Sequence, residues 1–350
     1  MKRVDRIKGC LLGGAVGDAL GAPVEFMSWS QISAKYGANG ITDFDPAYGT
    51  IGAITDDTQM MLFTAEGLLR AFVRGNSRGI CHAPSVIHHA LLRWLLTQDY
   101  PCAFPVEPSG WLIGNRELWS RRAPGNTCLS ALRASKHFGD PANNDSKGCG
   151  AVMRVAPCAF FGQAFETASE SGRLTHGHPS GYLAAGLFAD ILQRMADKSD
   201  SLEQALTESL AEHGDRDGMH ETKAALEQVL SFHHQGLRPT PERIATFGGG
   251  WIAEEALAIG VWCALSATSL EEGVVLAVNH DGDSDSTGMI AGHLLGLRYG
   301  PGAIPVRWYE RLELREVIER MAEDIESVPR EFGGFYREGD WEIAGRYPGD

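Results

Sequence analysis

Two short stretches hold the carboxylates that could do chemistry together. Residues 281–287 read DGDSDST, with Asp281, Asp283 and Asp285 at alternate positions, and residues 55–58 read TDDT, with Asp56 and Asp57 between two hydroxyls. Both lead into apolar runs. Acids in a first helical turn favour the helix dipole by ~0.3–1 kcal/mol each, which accounts for one or two of them. Three acids in one stretch and two in another repel one another unless a cation lies between them. Carboxylates and hydroxyls are hard oxygen donors, suited to Mg2+, Mn2+ or Ca2+ rather than zinc. DGDSDST fails as a calcium hand: its sixth position is Ser286 instead of glycine, and its twelfth is Gly292 instead of glutamate. Two acid-rich helix starts brought together could hold two cations between them.

Those starts require helices behind them. Thr55 is a natural N-cap that puts Asp56 and Asp57 in a first turn, and Asp283 or Ser284 would cap in the same way. Helical period recurs along the chain. Leu183, Leu187 and Ile191 fall one turn apart, beside a row of Phe188, Leu192 and Met195, and Leu314, Val317, Ile318, Met321 and Ile325 make another stripe. Further helices are expected over 56–74, 85–97, 127–137, 202–213, 218–234, 252–267 and 284–298. Alternating β-branched runs are scarce, so the fold class reads as all-α. A first helix over 3–20 carries Gly9, Gly13, Gly17 and Gly21 on one stripe. Each costs ~1 kcal/mol against alanine, so the stripe marks a face where a neighbouring backbone or a ligand comes close.

Turn-forming residues cluster at 37–53, 101–126, 139–150, 236–250 and 327–350. The segment 99–126, rich in Pro, Trp and Arg, reads as a long ordered loop over a surface, and such loops often serve function. No linker or internal repeat divides the chain, so one domain over 1–350 is expected, with a tail about 334–350 that is partly mobile.

The formal net charge is −14 over 350 residues, which disfavours wrapping nucleic acid or an anionic membrane and suits cation binding. Seven cysteines are spread widely with no C-x-x-C pair, as expected for reduced thiols in a cytoplasmic protein. Lys8 and Asp18 interrupt the apolar part of the N-terminus, against a secretory signal. No stretch approaches the ~20 apolar residues needed to cross a bilayer.

Six segments in order give the chain a family likeness. GCLLGGAVGDALGAPVEF near the start, TDDTQM at 55–60, SKGCGAVMRVAP at 146–157, THGHPSGYLAAG at 175–186, GGGWIAEEALAIGVWCAL at 248–265 and HDGDSDSTGMIAGHLLGLRYG at 280–300 resemble the ADP-ribosylglycohydrolase family, dinitrogenase reductase-activating glycohydrolases included. They cover about 300 residues; each is weak alone and together they are specific.

The resemblance implies a compact all-helical fold with two Mg2+ or Mn2+ ions in a cleft. It implies metal ligation by Thr55, Asp56 and Asp57 from one side and by Asp283, Asp285 and Ser286 from the other. The family pattern Gly-Gly-Asp-Thr-Asp-Thr becomes DGDSDS here, so Asp281 stands where glycine is usual and is assigned to the surface or to a supporting role. Glu25 matches an acid that touches a metal or moves a proton, though alone it would read as a solvated loop glutamate. Asp18 serves a nearby backbone or a metal-associated water.

The same likeness assigns Ser146, Gly148 and Gly150 to a loop lining the diphosphate and ribose of ADP-ribose. Cys149 stands where several relatives have asparagine, which leaves that polar substrate contact open. It reads as an incidental small residue, with redox sensitivity as the alternative. His176 matches a histidine that reaches the ligand, and His178 reads as structural. Trp251 falls where relatives place an aromatic near the adenosine or substrate, its alternative being core. Arg154 reads as a partner of a carboxylate.

The implied reaction is hydrolysis at the distal ribose C1″, with water attacking and Asp56, Asp57 or Glu25 accepting its proton. The implied partner is an ADP-ribosylated protein, arginine-linked first, with ADP-ribose as product; an ADP-ribosyltransferase toxin is the further partner, which the chain would antagonise as an immunity protein. The alternatives are a catalytically silent ADP-ribose-binding or structural protein, and a hydrolase of serine-linked, O-acetyl or nucleic-acid conjugates.

Overall fold

Helices appear where the apolar period is 3.6, and the longer ones are α1 (Arg3–Gly21), α2 (Asp56–Arg78), α3 (Ala83–Thr97), α4 (Pro179–Asp197), α5 (His220–His234), α6 (Ala253–Ser266), α7 (Ser284–Tyr299) and α8 (Arg315–Glu331). The structure, a computed structural model, describes residues 1–198, 201–334 and 339–349. Shorter helices cover Trp29–Tyr36, Asn126–Ala134, Ala164–Arg173, Leu202–His213, Leu270–Val278 and Asp340–Arg346. Among the described residues the only paired strands are Pro46–Ala47 and Thr50–Ile51, an antiparallel hairpin, so the fold is all-α. No described helix is long and apolar enough to cross a membrane.

The expected apolar rows face inward. Leu183, Leu187, Ile191, Phe188, Leu192 and Met195 of α4 are buried, as are Ile318, Met321 and Ile325 of α8; Val317 is half-buried, and Leu314 stands at the cap before α8 with a left-handed φ of 56° instead of continuing the stripe. α2 runs past its expected end to Arg78 and stops at Gly79, whose left-handed φ of 74° suits glycine. Helices Trp29–Tyr36, Ala164–Arg173 and Leu270–Val278 were not expected. Trp29–Tyr36 is short and buries only Ile32, which leaves little apolar period to read.

The glycine stripe of α1 packs against a second one. A Cβ placed on Gly9, Gly13 or Gly17 would lie 2.2, 2.3 or 2.0 Å from the carbonyl oxygen of Gly296, Gly292 or Gly288. One on Gly21 would lie 2.4 Å from the Asp285 nitrogen. The partners run in descending order, so α1 and α7 are antiparallel with touching backbones. Of the two expectations for the stripe, helix packing is the one realised along most of it. The consequence for function is positional: the C-terminal end of α1, with Asp18 and then Glu25, lies beside the start of α7, with Asp283 and Asp285.

In the tail, Tyr347 is buried and its hydroxyl donates to Asp324 at 2.6 Å. Arg70 Nε and Arg74 Nη1 donate to the carbonyls of Pro348 and Gly349. Residues 335–338 and 350 of the segment expected to be mobile lie outside the described residues.

Candidate functional site

Thr55 caps α2: its Oγ1 accepts the Asp57 N–H at 3.2 Å. That turns Asp56 and Asp57 into the first turn, both nearly fully buried. Asp56 is held by the far end of the long loop. Its N–H donates to Arg122 O at 3.0 Å, and its Oδ2 accepts the Gly125 N–H at 3.2 Å. The loop that reads as a surface feature thus ends on this carboxylate, with Ala123 at a strained φ of 54° between the two contacts.

Asp283 is the N-cap residue of α7, and Asp285 and Ser286 fill the first turn. The Asp283 N–H donates to Gly249 O at 2.8 Å. Ser286 Oγ donates to Asp57 Oδ2 at 2.7 Å, joining the two acidic helix starts directly. Single carboxylate oxygens of Glu25, Asp283 and Asp285 all lie within 4.8 Å of one another.

Asp18 stands behind this cluster. Its carboxylate accepts the N–H groups of Thr55 and Thr58 and the Thr58 hydroxyl. It therefore anchors the α2 start to α1. Asp281 is exposed and accepts the Trp29 N–H at the start of the short helix Trp29–Tyr36.

The glycine-rich segment forms one wall. Gly148 pairs with Ile252 through an antiparallel bridge, and the bonds Cys149 N to Trp251 O and Ala253 N to Lys147 O zip the two segments together. A Cβ on Gly150 would lie 2.9 Å from Cys128 Sγ and 3.2 Å from the His176 ring, so only glycine lets the loop lie this close. Ser146 sits behind the wall, its Oγ accepting the Gly148 N–H at 3.3 Å. Arg154, expected to pair with a carboxylate, does not. It is fully buried and donates to Gly150 O, Ser171 O and Thr175 Oγ1, because the charge is spent tying the loop to the turn before His176. His178 caps α4 by accepting the Ser180 N–H at Nδ1.

Together these residues enclose a cavity of about 200 Å3. Glu25, Asp56, Asp57, Asp283, Asp285 and Ser286 line one side, Gly148, Cys149, Gly150 and His176 another, and Trp251 the mouth. Of the residues expected from sequence, only Thr55 and Ser146 lie behind the lining. Trp251 is 44% exposed and stacks on Phe26, ring centroids 5.8 Å apart, which places it at the surface rather than in the core. Ala123, Gly125, Asn126, Thr127, Cys128 and Met153 complete the lining; sequence reasoning missed Ala123, Gly125 and Asn126 because loop composition alone does not show where a loop ends, and the other three because no local signal shows which residues of a helix or motif meet a cavity. A larger cavity of about 480 Å3 beside Arg74, Cys81, His82 and Phe138 has no carboxylate in its lining.

Among the described residues no lysine or arginine lines the acidic cavity, and its electrostatics follow. Burial, then repulsion from Asp285, Asp283, Asp56 and Asp18, pushes the Glu25 carboxyl up to about 11. Burial and Asp285 raise Asp18 to about 7 against opposing hydrogen bonds from Thr58 and Thr55. Asp56, Asp57 and Asp283 lie well above the usual carboxylate range for the same two reasons, burial first and Asp285 second. Glu25 Oε2 is buried without a hydrogen-bond partner. Buried acids are normally paired or coordinate metals, and an all-oxygen carboxylate set missing its counter-charge fits hard divalent cations. His176 is held neutral, its value lowered to about 3 by burial and then by Arg154.

The family profile of ADP-ribosylglycohydrolase matches residues 1–333. The chain is 26% identical over 330 residues to the ADP-ribosyl-[dinitrogen reductase] glycohydrolase of Rhodospirillum rubrum, covering 90% of this chain and 92% of the relative. It is 25% identical over 333 residues to the ADP-ribosylarginine hydrolase Tri1 of Pseudomonas putida, covering 92% and 78%. A solved structure described as an ADP-ribosylglycohydrolase-related protein complex superposes with a TM-score of 0.63 at 28% identity, covering 93% of this chain and 99% of that one. With the profile spanning nearly the whole chain and the helices matching a solved relative, the chain belongs to the ADP-ribosylglycohydrolase family, a family of hydrolases.

Proposed function

We propose that this hydrolase removes ADP-ribose from a modified protein side chain, arginine-linked in the first instance, by a metal-dependent attack of water at the distal ribose C1″. The observation that carries this reading is the cavity in which five carboxylates from three chain segments face a glycine-rich wall. Its volume of about 200 Å3 is below the ~300–1,000 Å3 of sites that enclose a drug-sized ligand. It suits one ribose, with the rest of ADP-ribose running out past Gly148–Gly150 and Trp251. The arginine linkage is supported by the Pseudomonas putida relative, named an ADP-ribosylarginine hydrolase. One domain spanning 1–350 carries the whole site.

The metal ligands would be Thr55, Asp56, Asp57, Asp283, Asp285 and Ser286. Two Mg2+ or Mn2+ ions there would supply the positive charge that orients the ribose hydroxyls and acidifies water. The chain's own residues do the rest. Of the carboxylates that could take the proton of the attacking water, Asp56 Oδ2 already accepts from Gly125 and Asp57 Oδ2 from Ser286. Glu25 Oε2 is buried without a hydrogen-bond partner; with cations bound in place of its own proton, Glu25 is the acceptor we assign. The neutral His176 ring and the close backbone of Gly148–Gly150 hold the sugar and diphosphate against an oxocarbenium-like transition state. Removal of ADP-ribose would also make the protein an antagonist of an ADP-ribosyltransferase toxin acting on the same targets.

The deciding assay is release of ADP-ribose from arginine-ADP-ribosylated protein, with Mg2+ or Mn2+ and after chelation. Loss of release on chelation and in the Asp283→Ala/Asp285→Ala protein is expected. Full activity in that double variant, or tight ADP-ribose binding with no turnover in the native protein, overturns the proposal.

A further inference from the structure

The thiol of Cys149 has no place in an all-oxygen site, yet it lies inside one. Its Sγ is 2.8 Å from Asp283 Oδ2, to which it donates, and Ser286 Oγ lies 3.8 Å from it. Ser286 in turn donates to Asp57, so the sulfur sits beside the joint between the two acidic helix starts. The bond from Cys149 N to Trp251 O at 3.2 Å fixes its backbone. Cys10, Cys158 and Cys263 are packed into the core, whereas Cys149 is half-buried and lines the cavity. Glu25 is only 7% exposed, lines the same cavity, leaves its Oε2 without a partner and has a carboxylate oxygen within 4.8 Å of one of Asp283, the carboxylate the thiol touches; a buried acid so placed calls for a cation.

We infer that Cys149 is a sulfur donor of this metal site and shifts its preference from Mg2+ toward thiophilic divalent ions such as Co2+, Zn2+ and Cd2+. The inference rests on the metal function proposed above. A thiolate added to carboxylates and hydroxyls softens the donor set, and soft donors favour these ions over Mg2+. On binding, the S–H bond breaks, its electron pair forms the sulfur–metal bond, and the proton leaves to solvent.

The test is titration of the full-length, metal-stripped protein and of Cys149→Ser with Cd2+, Mn2+ and Mg2+, followed by calorimetry and ultraviolet absorption. A sulfur-to-cadmium charge-transfer band should appear in the native protein and be absent in the variant. The variant's Cd2+ affinity should fall about 10- to 100-fold, with no fall for Mg2+. Equal Cd2+ affinity in the two proteins, or Mn2+ binding without a cadmium band, overturns the sulfur donor and leaves the metal site standing. Failure of all three ions to bind overturns the metal site itself. Should Cys149→Ser not fold, iodoacetamide labelling of the native chain decides the matter: Cd2+ should protect Cys149 more than Mg2+ does, and equal protection overturns the inference.

Discussion

Ser286 Oγ donates to Asp57 Oδ2 at 2.7 Å, a contact between residues 229 positions apart in the chain. It bonds the first turn of α2 directly to that of α7 and fixes the spacing of the two acidic groups. Ser286→Ala should therefore weaken Mn2+ binding about tenfold or more while the far-ultraviolet circular dichroism of the protein stays native. Unchanged Mn2+ affinity by calorimetry would show that the contact does not set the site.

The α1–α7 seam should tolerate no side chain. Gly13→Val places its Cβ against the Gly292 carbonyl, 2.3 Å away, and must force the touching backbones apart. A loss of about 3 kcal/mol or more in urea unfolding is expected, together with loss of activity. Gly345 lies in the helix Asp340–Arg346, with nothing within 4 Å of the site its Cβ would occupy. Gly345→Ala should instead stabilise by ~0.5–1 kcal/mol. Equal effects of the two substitutions would refute the seam.

Arg154 is a buried cation serving three oxygen acceptors and the Cys128 sulfur rather than an acid. Arg154→Met removes the charged donor from Gly150 O, Ser171 O and Thr175 Oγ1 and should cost about 3 kcal/mol. Arg154→Lys should not restore it, because an ammonium lacks the planar fork. The folded fraction should also show a raised KM, since Gly150 loses its anchor. Native-like KM in a folded Arg154→Met protein would sever Arg154 from the loop.

His88 links stability to pH. Burial, aided by Arg154, lowers its value to about 4, and its Nδ1 accepts the Gly139 N–H at 2.8 Å. The unfolded chain takes up the proton at the ordinary histidine value near 6.5, before the folded protein does. Stability should therefore fall as pH drops from about 6.5 to about 4, by about 3 kcal/mol from this group. Other groups titrate in the same window, so the quantity to measure is the difference between native and His88→Asn proteins. A difference independent of pH would remove His88 from the linkage.

Asp281 makes the opposite prediction from its neighbours. It faces solvent and caps the helix Trp29–Tyr36 through the Trp29 N–H. Asp281→Gly should cost that helix about 0.5–1 kcal/mol and leave Mn2+ affinity unchanged by calorimetry. A large loss of affinity would mean that the acids of 281–285 hold the metal in a different register.

How much of this was legible depended on the range of the interaction. Leu202–His213 came out at its expected bounds because its period and its Ser201 cap are local. The Thr55 cap was readable for the same reason. The stripe of Gly9, Gly13 and Gly17 was noticed, but the matching row at Gly288, Gly292 and Gly296 was not, although it has the same spacing. Pairing the rows was within reach of the sequence. The contact of Cys149 with Asp283 spans 134 residues and leaves no local trace. Arg154 misled because a buried arginine usually suggests an acid, and here carbonyl oxygens took that place. The long loop read as surface because composition records polarity and prolines, not that its last residues grip Asp56.

The glycine seam also sets an order of events for a chain leaving the ribosome. α1 is made first, but its glycines weaken it as an isolated helix, and short helices are marginal in water. Its backbone partner in α7 is not made until residues 284–299. With synthesis at about 5–20 residues per second, the N-terminal segment waits many seconds for the strip it must lie against. A chain arrested before α7 keeps α1 without a partner and TDDT without its second group of acids. Such a fragment should interact with chaperones rather than with metal, and the ability to bind a divalent ion would serve as a readout that synthesis has passed Ser286.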